Sequence, residues 1–176
     1  PKIGSGGHGH VFVGANVPFG MVQLGPTSIP QEWDWCSGYH DSDSTVIGFS
    51  HTHLSGTGIG DLFDITVMPV VGEVTYGRGR EEDPSTGMWS YADRSREVAR
   101  PGYYSVPLTR YGITAEMTAT NRVGLHRYTF PQSEEAGIVI NLMNGGCWDR
   151  PMDAQIERVD PMTGQPDPNG QALRGY

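Results

Sequence analysis

The segment Gly48-Phe49-Ser50-His51-Thr52-His53-Leu54-Ser55-Gly56-Thr57-Gly58-Ile59-Gly60-Asp61 sets two imidazoles two residues apart. In a strand such a pair points to one side, and His8 and His10 of Gly6-Gly7-His8-Gly9-His10 would do the same. Pairs of this kind can present two metal ligands, with His40 or Asp61 as a third member. Neutral imidazoles that hydrogen-bond a polar ligand account for the same residues, and no spacing singles out a third ligand.

A second cluster runs Glu32-Trp33-Asp34-Trp35-Cys36-Ser37-Gly38-Tyr39-His40-Asp41-Ser42-Asp43. Aromatic faces among carboxylates and hydroxyls suit a sugar, whose C–H faces pack on rings while short acids accept its hydroxyl protons. Strand spacing would put Trp33 and Trp35 on one face. Other chemistries are less well served. The glycines at 6–9 lack the Lys-Ser/Thr of a phosphate loop, and Ser50, His51 and Asp61 lack the Gly-x-Ser-x-Gly elbow of a hydrolase triad. Asp34, Asp41, Asp43, Asp61 and Asp64 offer acids, but no spacing marks two as a proton-transfer pair.

These residues need short, turn-rich elements to hold them. Ile113, Ala115, Met117 and Ala119 alternate with polar residues, the period of a half-buried strand. Comparable runs lie at 20–24, 46–51, 65–71, 102–108, 123–130, 138–143 and 154–159, and the runs at 113–120 and 123–130 predict one hairpin across Asn121-Arg122. The stretch from Asp160 to Gly170 reads as a loop or hairpin tip, with a turn at Asn169-Gly170. The spacing predicts an all-β fold, an antiparallel β-sandwich.

Composition narrows the partners. Among 176 residues, 12 Lys and Arg face 20 Asp and Glu, a net charge of −8, with no basic cluster to bind nucleic acid or an anionic membrane. No run of about 18 apolar residues is present to span a membrane. Twelve of 25 Gly, five of six His and two of four Trp fall in the first 60 residues, so something besides core packing is concentrated there. Cys36 and Cys147 are compatible with a bridge or with two free thiols.

In sequence the chain resembles the α-mannosidases of glycoside hydrolase family 92. The resemblance rests on Gly6–His10, on Pro18-Phe19-Gly20-Met21-Val22-Gln23-Leu24-Gly25-Pro26, on Trp35-Cys36-Ser37-Gly38-Tyr39 and on the string from Gly48 to Gly58. It continues through Pro101-Gly102-Tyr103-Tyr104-Ser105-Val106, Glu116–Thr120 and His126-Arg127-Tyr128-Thr129-Phe130-Pro131, about three quarters of the chain. It implies that residues 1–176 are an N-terminal β-sandwich domain, itself incomplete, and a piece of a longer secreted or periplasmic enzyme whose catalytic (α/α) barrel this chain lacks. Such enzymes are exo-acting, inverting and calcium-dependent, and remove terminal α-linked mannose from glycans. The resemblance also implies that the acid, the base and the calcium ligands belong to the barrel.

On this likeness the domain walls one side of a pocket at the domain junction. Trp35 stacks on the sugar, His51 and His53 hydrogen-bond its hydroxyls, and Gly56, Thr57 and Gly58 let the loop approach. Trp33, Cys36 and Asp61 are further candidates. Without the barrel, an uncovered apolar face should make the fragment dimerise or aggregate. Two other classes fit the residues: an autonomous metal-binding sandwich or barrel using His8, His10, His51 and His53, and a carbohydrate-binding module without an enzyme.

Overall fold

A computed structural model describes residues 2–55, 59–142 and 151–175. Alternation sets the strands. In β9 (Ile113–Ala119) the residues Ile113, Ala115, Met117 and Ala119 are buried while their neighbours are not, and β8 (Tyr103–Leu108) buries Tyr104, Val106 and Leu108. β8 and β9 pair antiparallel, with β7 (Val98–Arg100) and β10 (Gly124–Thr129) on their flanks in a four-stranded sheet. The hairpin expected across Asn121-Arg122 is present, pairing Gly124 with Ala119.

The facing sheet has five strands, in the order β1 (Ala15–Asn16), β2 (Gln23–Thr27), β4 (Gly48–Ser50), β5 (Thr66–Val71) and β11 (Ala136–Asn141). Leu24, Phe49, Met68 and Val70 from this sheet meet Tyr104, Val106, Ile113, Ala115 and Met117 from the other in one core. Each large side chain buried there contributes about 2 kcal/mol at most. Two ribbons complete the fold: β3 (Thr45–Val46) with β6 (Ser90–Tyr91), and β12 (Ile156–Val159) with β13 (Ala172–Gly175). The stretch 160–171 is thus the expected hairpin tip, and the Gly170 N–H donates to the Asp167 carbonyl at 2.9 Å.

Several expected strands differ in their bounds. The run at 20–24 starts its strand only at Gln23, because Phe19 takes φ 60° and Gly20 N–H closes a turn onto Val17. The run at 46–51 is two strands rather than one. Gly48, at φ 152°, breaks it, and a Cβ there would stand 2.4 Å from Thr66 Cγ2. The second piece ends at Ser50, so His51 and His53 are not strand neighbours. Trp33 and Trp35 do not share a strand face either, because Trp33–Trp35 is a 3-10 turn, where residues two apart diverge.

Candidate substrate-facing site

Beyond the pair Phe49↔Val67, the end of β4 and the residues after it are tied to β2, to Thr66 of β5 and to the segment that leads into β5. Ser50 Oγ lies 2.9 Å from Thr27 Oγ1 and 2.8 Å from Thr66 Oγ1. One residue on, His51 N–H donates to the Asp64 carbonyl at 3.0 Å, and its Nδ1 lies 2.7 Å from the Ile65 carbonyl. Thr52 Oγ1 then donates to the Asp64 carboxylate at 3.3 Å and accepts the Asp64 N–H at 2.9 Å. Last, the fully buried Asp61 carboxylate accepts Leu54 N–H at 2.7 Å and Leu62 N–H at 2.9 Å. These rungs form a stem that closes the loop 54–61. Phe63 and Ile65 in its return arm take φ 53° and φ 52°, a conformation that costs about 1–3 kcal/mol each and needs such support.

Two further segments lean on the loop. Val11 bridges to Ser55, and Phe12 stacks on the His53 ring at 5.3 Å with 8° between planes. His53 is enclosed, its Nε2 3.3 Å from the Gly25 carbonyl and its Nδ1 3.4 Å from Asp61. Gly38 permits this enclosure: at φ +82° its missing Cβ would stand 3.0 Å from both the His53 and Phe63 rings. Cys36 is buried as a free thiol, its carbonyl accepting Asp61 N–H at 3.1 Å, and Cys147 lies outside the described residues.

The 3-10 turn divides the tryptophans. Trp35 turns inward: its indole N–H donates to Asp43 at 2.9 Å, and its ring lies against His40 at 4.5 Å. Trp33 is 53% exposed, with its ring edge-on to His10 at 5.1 Å. Between them the Asp34 carboxylate faces His8 Nδ1 at 2.6 Å and His10 Nε2 at 3.6 Å. The His8 hydrogen bond holds Asp34 below the usual carboxylate range. Trp33, Asp34 and the exposed His8 therefore present one aromatic face, one acid and one imidazole toward solvent beside the loop.

His51 does not reach outward as expected for a residue that hydrogen-bonds sugar hydroxyls. Its carbonyl accepts Gln23 N–H, and its Nε2 lies 3.0 Å from His126 Nε2, so all four of its polar groups are engaged within the protein. His53 is likewise internal, its ring nitrogens turned to the Gly25 carbonyl and Asp61. Gly56, Thr57 and Gly58 lie outside the described residues. The four imidazoles at 8, 10, 51 and 53 do not converge: the first pair faces Asp34, while the second separates toward His126 and Asp61. Among the described residues no group of three or more His, Cys, Asp or Glu is placed to hold a metal ion.

His126 and Tyr128 had no role assigned from sequence, although their two-residue spacing in β10 puts both on its inward face. Burial first, and the nearby His51 second, push His126 down to about 4, and burial likewise lowers His51. Both therefore stay neutral at pH 7, while the unfolded chain takes up protons below about 6.5. Stability should be flat above pH 7 and fall as pH drops from 6.5 toward about 4, by at most about 1.4 kcal/mol per pH unit for each histidine. Urea midpoints measured across that range check this, and an unchanged midpoint between pH 7 and 5 contradicts it.

Comparison with known proteins gives a consistent set. The profile of the glycosyl hydrolase family 92 N-terminal domain matches residues 1–171. The family GH92 α-mannosidase BT3965 of Bacteroides thetaiotaomicron, solved in complex with mannoimidazole, superposes with TM-score 0.86 at 40% identity, over 91% of this chain and 21% of that one. The GH92 inverting mannosidase BT2199 of the same species gives TM-score 0.61 at 27% identity, over 76% of this chain and 17% of that one. A secreted glycosidase of Arthroderma benhamiae, itself uncharacterized, is 31% identical over 137 residues, 74% of this chain and 17% of that protein. The chain thus spans about a fifth of the length of these relatives.

Proposed function

This chain belongs to glycoside hydrolase family 92 as an N-terminal domain, and from that premise we propose that it walls the mannose site of a secreted, exo-acting, inverting α-mannosidase. Its substrates are terminal α-mannosides of glycans. The named activities of the relatives support the substrate class, and the observation that carries the site is Trp33, half-exposed against the His10 ring and next to Asp34, which faces His8. An indole face packs on the C–H face of a hexose, and a carboxylate next to it orients the sugar through a hydroxyl. Trp33, rather than the inward-turned Trp35, is the stacking residue on this reading.

Inversion requires an acid that protonates the leaving oxygen and a base that activates water, with about 6.5–9.5 Å between them. In this chain Asp43 and Asp61 are spent on holding backbone and indole N–H groups, which suits neither role. Acid, base and a calcium ion, which would orient sugar hydroxyls, are supplied by the part of the protein outside this chain. The isolated chain should then release no mannose above background. The uncovered side chains Phe19, Met21, Val123, Leu125 and Ile138, each more than half exposed, support a covering C-terminal catalytic domain.

In the full-length protein, Trp33→Ala should raise KM for an α-mannoside about 30-fold, the equivalent of about 2 kcal/mol, with kcat little changed. An unchanged KM sinks the stacking role of Trp33. Mannose release by the isolated chain would move the chemistry into this domain.

A further inference from the structure

His10 holds a buried ring nitrogen that nothing among the described residues satisfies. Its side chain is 8% exposed, and its Nε2 has no hydrogen-bond partner. The Asp34 carboxylate faces that nitrogen from 3.6 Å, just beyond hydrogen-bond reach. A buried polar atom left unpaired is a standing cost that folded proteins rarely carry without a use. The surrounding chain keeps the imidazole in place. Ser37 Oγ donates to the His10 carbonyl at 2.6 Å, and Val11 N–H donates to the Gly4 carbonyl at 3.2 Å. A Cβ on Gly9 would stand 2.1 Å from that same Gly4 oxygen, so the strand of chain before His10 fits only as glycine. His10 itself takes φ 53°, in the left-handed region, with its ring edge-on to Trp33 at 5.1 Å.

We propose that His10 is a specificity-determining residue for the sugar: its Nε2–H and the Asp34 carboxylate together grip one hydroxyl of the hexose that packs on Trp33. This rests on the reading that Trp33 and Asp34 face the sugar. A span of 3.6 Å lets one hydroxyl oxygen stand about 2.8 Å from both atoms. A hydroxyl has one proton to give and lone pairs to receive, so it donates to the carboxylate and accepts from Nε2–H.

No other common sugar group does both. An ether oxygen accepts from the ring and gives nothing to the carboxylate, and a C–H serves neither. The pair therefore selects a free hydroxyl over a deoxy or alkylated position, because the wrong sugar leaves a buried polar atom unpaired. The exposed side chains of His8, against Asp34, and Trp33, against His10, flank the pair, and their shift is what admits the hydroxyl to Nε2.

The test uses the full-length protein, an α-linked mannobiose and its monodeoxy analogues, with one hydroxyl removed at a time. His10→Phe keeps a ring against Trp33 without the N–H, and His10→Gln carries an amide N–H toward the place of Nε2. His10→Phe should raise KM for mannobiose about 10-fold with kcat within about two-fold. For one monodeoxy analogue, and that one only, His10→Phe and the unmutated protein should share the same KM, and His10→Gln should recover part of the discrimination. Equal losses with every analogue, with or without the imidazole, overturn the proposal. In the unmutated protein, 15N spectra should show His10 protonated at Nε2, and that signal should move on adding thio-linked α-mannobiose, which resists cleavage. A His10 signal indifferent to the sugar overturns the proposal whether or not the variants fold. Binding that depends on Trp33 but not on His10 sinks this inference and leaves the proposed function standing. If mannobiose binds without being cleaved, the reaction assigned to the protein fails, while the same comparisons read as Kd still decide on His10. Absence of binding overturns both.

Discussion

Asp61→Ala should free the backbone at Leu54 and Leu62 and destabilise the domain by about 3 kcal/mol. The carboxylate is fully buried and accepts two backbone N–H groups, one at each foot of the loop. Hydrogen bonds to a charged acceptor contribute about 1.5–3 kcal/mol each, and their loss takes from the Leu54 and Leu62 amides the carboxylate that ties the two together. Asp61→Asn keeps one acceptor oxygen and should fall between. On the proposed function, kcat/KM of the full-length enzyme for an α-mannoside drops about 100-fold in Asp61→Ala, because Leu54 and Leu62 are no longer tied together in the wall proposed for the mannose site. Urea denaturation and steady-state kinetics check the two halves. A variant with normal stability and normal kcat/KM would show that the loop is held by its backbone alone.

Glu97→Ala should cost more, about 3–5 kcal/mol. The Glu97 carboxylate is closed off from solvent and receives Lys2 Nζ, Arg94 Nη1 at 2.6 Å, the Tyr104 hydroxyl at 2.5 Å and the Tyr39 hydroxyl at 3.1 Å. Burial alone would raise its pKa. The Arg94 charge and the Lys2 and Tyr104 donors outweigh that and hold it below the usual carboxylate range. Truncation leaves Arg94 half-buried without its anion, which is where most of the cost arises. The damage should reach the site, since Arg94 also donates twice to the Asp43 carbonyl and Asp43 holds the Trp35 indole. For a domain of this size the melting temperature should fall about 10 °C. A loss below about 1 kcal/mol would mean that the two cations find other partners.

How much of this was legible in the sequence varies by element. The strand at 113–119 and its hairpin to β10 could be read directly, because which face a side chain takes in a strand is fixed by its own position parity. The strands β1, β6 and β7 could not. They are two or three residues long and exist only because a longer neighbour pairs with them. The histidine and tryptophan clusters stood out by composition, yet their geometry was misread as strand geometry. Gly48 and the turn at 33–35 break the extended backbone, so the two tryptophans do not share a face and Trp33 is the more exposed.

By itself the sequence determined the all-β class, the hairpins, the family likeness and the crowding of chemical residues into the first third, because each is a property of neighbours along the chain. Only the tertiary structure decided what those residues touch. His126 stands 75 positions from His51, and Lys2 stands 95 from Glu97. Such partners are chosen by how two sheets pack, and nothing in the local period of either strand encodes the donor that will face it. The same packing encloses His53 and Asp61 as supports of the loop and leaves Trp33 and Asp34 at the surface, where a sugar could reach them.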